Sequence, residues 1–152
     1  MRPVIAFALL SSFVAVAAGQ PQPQARVQTE DADAKAIRQT ALDYIEGWYE
    51  GDVERMTRAV SPELVKRIIV NERGASRIEG MGASKLIAGV RAGYGKDTPK
   101  ARQQKEVTIL DRYENASVVK IIATDWIDYL QIGKIDGRWV ILNVLWERKP
   151  KS

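Results

Sequence analysis

The sequence contains neither cysteine nor histidine among its 152 residues. Without cysteine the chain can form no disulfide, use no thiol nucleophile and carry no lipid-modified cysteine of the lipoprotein kind. Without histidine it lacks the side chain best suited to proton transfer near neutral pH, which is also the commonest metal ligand. Core packing alone must therefore hold the fold, and we expect neither a metal nor a cofactor.

Neither sign of charge predominates strongly, since the sequence has 23 lysines and arginines and 19 aspartates and glutamates, which gives a net charge of +4. The basic residues are interspersed with acidic ones and are densest at positions 96–105 and 148–151. No nucleic-acid-binding motif accompanies these groups. We interpret them as a solvated surface and expect no nucleic-acid partner.

One long apolar run is present, at residues 4–18, and it follows a positively charged Arg2. The run spans 15 residues, whereas a membrane-spanning helix needs about 20. The sequence Ala15-Val16-Ala17 matches the small-residue cleavage pattern of secretory signal peptides, and a second such site follows at 17–19. We therefore expect residues 1–19 to be a signal peptide, with the mature protein periplasmic or secreted and not membrane-bound after cleavage.

The mature chain begins with a segment rich in glutamine and proline, residues 20–31, which is typical of a disordered linker. A folded domain is expected at residues 32–149, followed by a short basic tail at 150–152. A first helix from about residue 33 to 50 is predicted by apolar spacings of three and four, and either Asp31 or Asp33 can cap its start. Its apolar face consists of Ala34, Ile37, Ala41, Ile45 and Trp48.

Three shorter helices follow in the prediction. Gly51 should end the first helix in a left-handed conformation and Asp52 should cap the second, at about residues 53–60. Ser61-Pro62 is typical of a further helix start, with Leu64, Ile68 and Ile69 in it. Residues 71–82 suggest a loop or irregular hairpin, and residues 83–92 another short helix.

The remaining sequence is rich in β-branched and aromatic residues. Strands are predicted at about residues 106–111, 116–123, 126–134 and 138–148, with a turn at Glu114-Asn115. Helices first and antiparallel strands afterwards is an α+β order.

The stretch from 126 to 146 predicts a long hairpin with Asp136-Gly137 at its tip, because such a pair readily adopts the positive φ angles of a type I′ turn. With a two-residue turn, the residue numbers of each facing pair sum to 273. This register places Trp126, Asp128, Trp139 and Asn143 on one face. The other face carries Ile127, Tyr129, Val140, Leu142 and Trp146. A one-residue bulge would exchange the faces on one strand.

The first face has the composition of a ligand pocket, because it is mostly apolar with two polar groups near its middle. We expect Asp128 and Asn143 to point into this pocket beside Trp126 and Trp139. Tyr44 and Trp48 of the first helix should lie nearby. Core packing explains the aromatic residues equally well.

Several segments resemble the putative lumazine-binding family: residues 43–52 (DYIEGWYEGD) with Met56, 61–67 (SPELVKR), 128–130 (DYL) and 134–139 (KIDGRW). That family belongs to the nuclear transport factor 2-like superfamily, together with ketosteroid isomerases and SnoaL-like polyketide cyclases. The resemblance implies a cystatin-like α+β cone, in which a curved antiparallel sheet wraps around a long N-terminal helix and two shorter helices. It also implies a ligand site at the open end and a homodimer through the outer sheet face.

Three functions are compatible with these features. The leading hypothesis is a non-catalytic exported protein that binds a small aromatic or apolar molecule through Tyr44, Trp48, Trp126, Asp128, Trp139 and Asn143. The second is an isomerase or cyclase in which Asp128 is the general base and Tyr44 donates to a developing oxyanion. The third is a structural dimer whose cone is filled by side chains.

Overall fold

The computed structural model describes residues 31–72 and 74–150. Within this part of the chain there are three α-helices: α1 (Ala32–Glu50), α2 (Val53–Ala59) and α3 (Ala83–Arg91). The strands are β1 (Val60–Glu72), β2 (Ala75–Gly82), β3 (Lys105–Tyr113), β4 (Ala116–Ala123), β5 (Trp126–Ile135) and β6 (Arg138–Arg148). The predicted signal peptide, nearly all of the predicted linker and the last two residues of the tail lie outside the described residues.

The six strands form one curved sheet in the order β2-β1-β6-β5-β4-β3, with the helices packed on its inner face. The α+β prediction, with one long helix and two shorter ones, is confirmed. Four of the five strand pairs are antiparallel, as expected, but β1 and β6 run parallel. These two strands are separated by most of the domain, so no tight hairpin forces them to be antiparallel.

Helix α1 begins and ends as the sequence predicts. The Asp31 side chain accepts a hydrogen bond from the Ala34 amide at 2.8 Å, which satisfies one of the free donors of the first turn. Gly51 ends the helix at φ 68°, a left-handed conformation that glycine adopts without strain. Ile37 and Ile45 are completely buried, so the predicted apolar face is the face that packs on the sheet.

The predicted helix after Ser61-Pro62 is wrong, because this segment is strand β1. The Ser61 hydroxyl does accept a hydrogen bond from the Glu63 amide at 3.2 Å, but this local turn leads into extended chain. Residues 64–70 are rich in β-branched side chains, which favour strands. Burial alternates along them, with Leu64 and Lys66 buried on the inner face.

The predicted turn between β5 and β6 is confirmed. Asp136 and Gly137 have φ angles of 49° and 77°, and Ile135 pairs with Arg138. The expected register holds as far as the pair Ile132–Ile141.

The register then shifts by one residue, because Gln131 pairs with Asn143 and leaves Leu142 in a bulge. Gly133, which pairs with Val140 nearby, lies close to the bulged side chain: a Cβ atom there would be 2.8 Å from Leu142 Cδ1. A larger residue at 133 would therefore collide with the bulged leucine.

The bulge exchanges the faces of the second half of β6. Val144 and Trp146 join Asp128 on the inner face, whereas Asn143 and Leu145 point outward with Gln131 and Tyr129. The predictions that Asn143 faces inward and Trp146 faces outward are therefore wrong. Their cause is the one-residue insertion in the ladder, which reverses side-chain alternation beyond it.

The outer sheet face retains exposed apolar side chains, including Tyr129 at 42% and Leu145 at 49% exposure. The homodimer through this face stays a prediction, now without Trp146 among its contacts. None of the described helices is both long and apolar enough to span a membrane.

The turn glycine can be tested without steric interference, since a Cβ at position 137 would have no neighbour within 4 Å. We expect Gly137→Ala to lower the free energy of unfolding by about 1 kcal/mol, because an L-residue is strained at this φ. The control is Gly80→Ala in β2, where the added Cβ would make an ordinary contact at 3.4 Å and should be neutral or stabilising. Urea denaturation measures both, and equal effects would contradict the explanation by φ.

Candidate functional site

A cavity of about 670 Å³ opens at the end of the domain where α1 finishes and β5 begins. The second half of α1, the β1–β2 hairpin, α3 and the adjoining ends of β5 and β6 surround it. Its lining residues are Tyr44, Trp48, Lys66, Ile68, Glu79, Gly80, Met81, Lys85, Leu86, Tyr94, Asp125, Trp126, Trp146 and Arg148. The cavity is thus walled mainly by aromatic and aliphatic side chains, with a few charged ones.

A buried ion pair lies at the inner end of this cavity. Lys66 Nζ is 2.6 Å from Asp128 Oδ1, and the two side chains are only 8% and 0% exposed. Lys66 comes from β1 and Asp128 from β5, with β6 between them. The lysine therefore extends across β6, where its Nζ atom lies 4.8 Å from the centroid of the Trp146 ring. This distance is within the range of a cation–π interaction.

Two aromatic residues complete the polar group around Asp128. Trp126 Nε1 donates to Asp128 Oδ2 at 2.6 Å, and Lys66 Nζ donates to the Tyr44 hydroxyl at 2.6 Å. Burial and the neighbouring Asp128 carboxylate raise the pKa of Tyr44 well above its usual value. Tyr44 is therefore a neutral phenol throughout the physiological pH range.

Burial lowers the pKa of Lys66, and the charge of Asp128 opposes that shift. The charged lysine is thus disfavoured by desolvation and retained by its carboxylate partner. Its charge depends on Asp128 more than that of a surface lysine would depend on any neighbour.

The aromatic wall is held by close packing. Trp48 meets Trp126 edge to face, with ring centroids 6.3 Å apart, a favourable geometry for aromatic pairs. Behind Trp48 the chain passes so closely that a Cβ at Gly95 would lie 2.1 Å from the Trp48 carbonyl oxygen. Only glycine fits there, so the segment after α3 can close over the tryptophan and bring Tyr94 to the cavity.

The charges at the cavity mouth balance. Glu79 and Asp125 supply two negative charges, and Lys85 and Arg148 supply two positive charges, all on exposed residues. The mouth therefore has no strong preference for a ligand of either sign.

The structure brings four of the six predicted site residues together. Tyr44, Trp48 and Trp126 line the cavity, and Asp128 lies directly behind the lining, bonded to Trp126 and Lys66. Whether these residues bind a ligand stays a prediction.

The other two predicted residues lie elsewhere. Asn143 is on the outer face, for the reason given above. Trp139 is on the inner face but near the opposite end of the hairpin, where its Nε1 donates to Asp33 Oδ1 at 3.0 Å. Trp139 pairs with Lys134, six residues from Asp128 along β5, which amounts to about 20 Å. A shared face therefore did not mean a shared site.

Lys66 and Trp146 are the principal residues that sequence reasoning missed. Trp146 was assigned to the wrong face because the bulge has no clear sequence signal. Lys66 was missed because its segment was interpreted as a helix. Its signal was available, since Leu64, Lys66 and Ile68 alternate with period two, and a lysine at an inward strand position needs a partner.

In the described part of the chain, no group of three or more aspartates and glutamates is arranged to hold a metal ion. Asp128, the carboxylate at the inner end of the cavity, already accepts hydrogen bonds on both oxygens.

Residues 32–147 match the family model described as putative lumazine-binding. This match covers the domain from the first residue of α1 to the last but one of β6. The chain belongs to the putative lumazine-binding family. The resemblance noted in the sequence is thereby confirmed. No curated protein matches the chain in sequence.

Solved structures resemble this lumazine-binding family member in fold at low sequence identity. A nuclear transport factor 2-like protein of unknown function from Shewanella baltica OS155 has a TM-score of 0.62 at 17% identity, covering 78% of this chain and 95% of that one. A nuclear transport factor 2-like protein of unknown function from Methylobacillus flagellatus KT has a TM-score of 0.62 at 18% identity, with coverages of 82% and 98%. A ketosteroid isomerase-like protein from Erwinia carotovora atroseptica SCRI1043 has a TM-score of 0.56 at 9% identity, with coverages of 80% and 99%. At these identities the similarity establishes the fold alone.

Because Asp128 belongs to a buried ion pair, substitution at this position should affect stability more than substitution elsewhere in the site. We expect Asp128→Asn to lower the free energy of unfolding by about 3 kcal/mol, because it leaves the Lys66 charge buried without a countercharge. The double variant Lys66→Met with Asp128→Asn should recover most of that loss. Urea denaturation of the three proteins measures this.

The matched control is Asp31→Asn, which removes the charge from an exposed ion pair with Arg112 but keeps a residue able to cap α1. Its effect should be much smaller than that of Asp128→Asn. If the two single variants were equally stable, the ion pair of Lys66 and Asp128 would not be a central contact of the fold.

Proposed function

We propose that this protein binds a small, planar, mostly apolar molecule in the cavity beside Lys66. The observation that carries the proposal is the cavity itself, whose volume of about 670 Å³ falls within the ~300–1,000 Å³ typical of small-molecule sites. Three of the four tryptophans line it. Flat aromatic walls favour a flat ligand, because stacking buries both faces of a ring.

The family description is compatible with this proposal. Lumazine is a planar heteroaromatic compound, and the family is described as putatively binding it. Membership of the superfamily adds no further support, since its fold hosts unrelated activities.

The cavity also supports ligand binding over the other two functions considered from the sequence. A structural dimer with a filled cone would leave no open volume of this size at the mouth of the domain. We propose no general-base role for Asp128, because both of its oxygens accept hydrogen bonds and its side chain is 0% exposed. A base must reach the proton that it removes.

Neighbouring isoleucines on β1 provide a matched test. Ile68 lines the cavity, whereas Ile69 points to the other face and is 50% exposed. We expect Ile68→Trp to weaken binding of lumazine or 2-acetylnaphthalene by about tenfold or more (~1.4 kcal/mol or more), because the larger side chain fills the site. Ile69→Trp should leave binding unchanged. Isothermal titration calorimetry measures both.

Two results would count against the proposal. One is the absence of binding of either probe to the unmodified protein at its solubility limit. The other is equal weakening by both substitutions, which would place the binding site elsewhere.

We also propose export, from the charged Arg2, the apolar run at residues 4–18 and the cleavage pattern at Ala15-Val16-Ala17. Expressed from its full-length gene in a Gram-negative bacterium, the protein should be recovered from the periplasm or medium with Ala18 or Gln20 as its first residue. Intact mass measurement identifies the terminus. Retention of Met1 in the folded protein would contradict export with cleavage.

A further inference from the structure

The hydrogen-bond donors at the inner end of the cavity can be counted. The indole of Trp126 has one N–H, which Asp128 accepts, and the neutral phenol of Tyr44 has one O–H, whose hydrogen-bond partner is also Asp128. Lys66 has three N–H groups when charged, and two of them are accounted for by Asp128 Oδ1 and the Tyr44 hydroxyl. Within the described residues Lys66 Nζ has no third oxygen or nitrogen acceptor. One N–H of a nearly buried lysine that lines the cavity is therefore available.

An available donor on a nearly buried ammonium group favours a ligand that brings an acceptor to it. Such a hydrogen bond is charge-assisted and lies where water is largely excluded, so it is stronger than a bond between neutral groups. The face of Trp146 near Lys66 Nζ offers only a π interaction at 4.8 Å. An oxygen acceptor would satisfy the donor better than this ring does.

The charge of that acceptor is limited by Asp128. The carboxylate already balances the Lys66 ammonium, and it lies 2.6 Å from it. A carboxylate on the ligand would place a second negative charge beside the same lysine, in an apolar cavity where an unbalanced charge is costly. The balanced charges of Glu79, Asp125, Lys85 and Arg148 at the mouth do not compensate for it. A neutral carbonyl oxygen meets the need of the donor without this penalty.

We propose that the cavity selects neutral planar molecules that carry a conjugated carbonyl group, with the carbonyl oxygen bonded to Lys66 Nζ and the ring system against the tryptophans. This inference rests on the proposed function and adds the chemical class of the ligand. Asp128 is a positioning residue in this arrangement. It holds the lysine at the inner end of the cavity and neutralises its charge.

Three naphthalenes of nearly equal shape test the selection. They are 2-acetylnaphthalene, with a neutral carbonyl; 2-isopropenylnaphthalene, with a methylene in place of the oxygen; and 2-naphthoate, with a carboxylate. We expect the ketone to bind about tenfold more tightly than the alkene, since a hydrogen bond to a charged group supplies at least that much. The carboxylate should bind more weakly than the ketone. Calorimetric titration at pH 7 gives the three dissociation constants.

The double variant Lys66→Met with Asp128→Asn removes the donor and its countercharge together, so that no charge is left buried alone. In this variant the ketone and the alkene should bind with about equal affinity, because the donor that distinguishes them is gone. The control is Lys120→Met, which removes a lysine whose Nζ lies over the Tyr129 ring on the outer face. It should keep the full preference.

The outcomes separate this inference from the proposed function. Equal binding of the ketone and the alkene to the unmodified protein would overturn the carbonyl preference and leave the cavity as a binding site. Tightest binding of 2-naphthoate would overturn the preference for a neutral ligand. If none of the three compounds bound, both the proposed function and the inference would fail. If the double variant does not fold, the three dissociation constants of the unmodified protein still test the preference for a neutral carbonyl.

Discussion

The contact between Lys66 and Asp128 connects most of this structure. It joins β1 to β5 across the intervening β6, and its third member, Tyr44, belongs to α1. Placing two charges in the interior is costly unless the geometry is good and other hydrogen bonds assist. Trp126 provides such a bond to the second carboxylate oxygen. The ion pair thereby fixes the relative positions of three strands and the long helix at the end where the cavity opens.

That contact depends in turn on the bulge at Leu142. Without the bulge, Asn143 and Leu145 would face inward beside β5, and Trp146 would lie outside. With it, Val144 and Trp146 lie between Lys66 and Asp128 on the inner face. Because the inner side chains on β6 at this point are apolar, they leave the lysine no nearer acceptor on that strand. The lysine crosses the indole and reaches the carboxylate.

The sequence predicted the parts of the fold that local rules determine. The caps of α1, its apolar face and the Asp136-Gly137 turn follow from the chemistry of a few adjacent residues. The bulge does not, because extended chain with and without an extra residue has the same composition and nearly the same alternation. The fate of Ser61-Pro62 was likewise decided by tertiary pairing with β6, which overrode a local helix-start signal. Hence Asp128 was assigned to the correct face of the sheet, whereas Asn143 was assigned to the wrong one and Lys66 was missed.

The two ends of the hairpin use tryptophan in different ways, and this difference explains where the cavity lies. Near the turn, Trp139 is 5% exposed and its indole N–H is taken by Asp33, while its backbone carbonyl accepts a bond from Thr40. The first half of α1 therefore closes that end. At the other end Trp126 and Trp146 remain partly exposed, because the hydrogen bonds there bring Lys66 and Asp128 together behind the rings and not across the opening. The polar contacts thus close one end of the domain, and at the other they form the inner wall of an open apolar cavity.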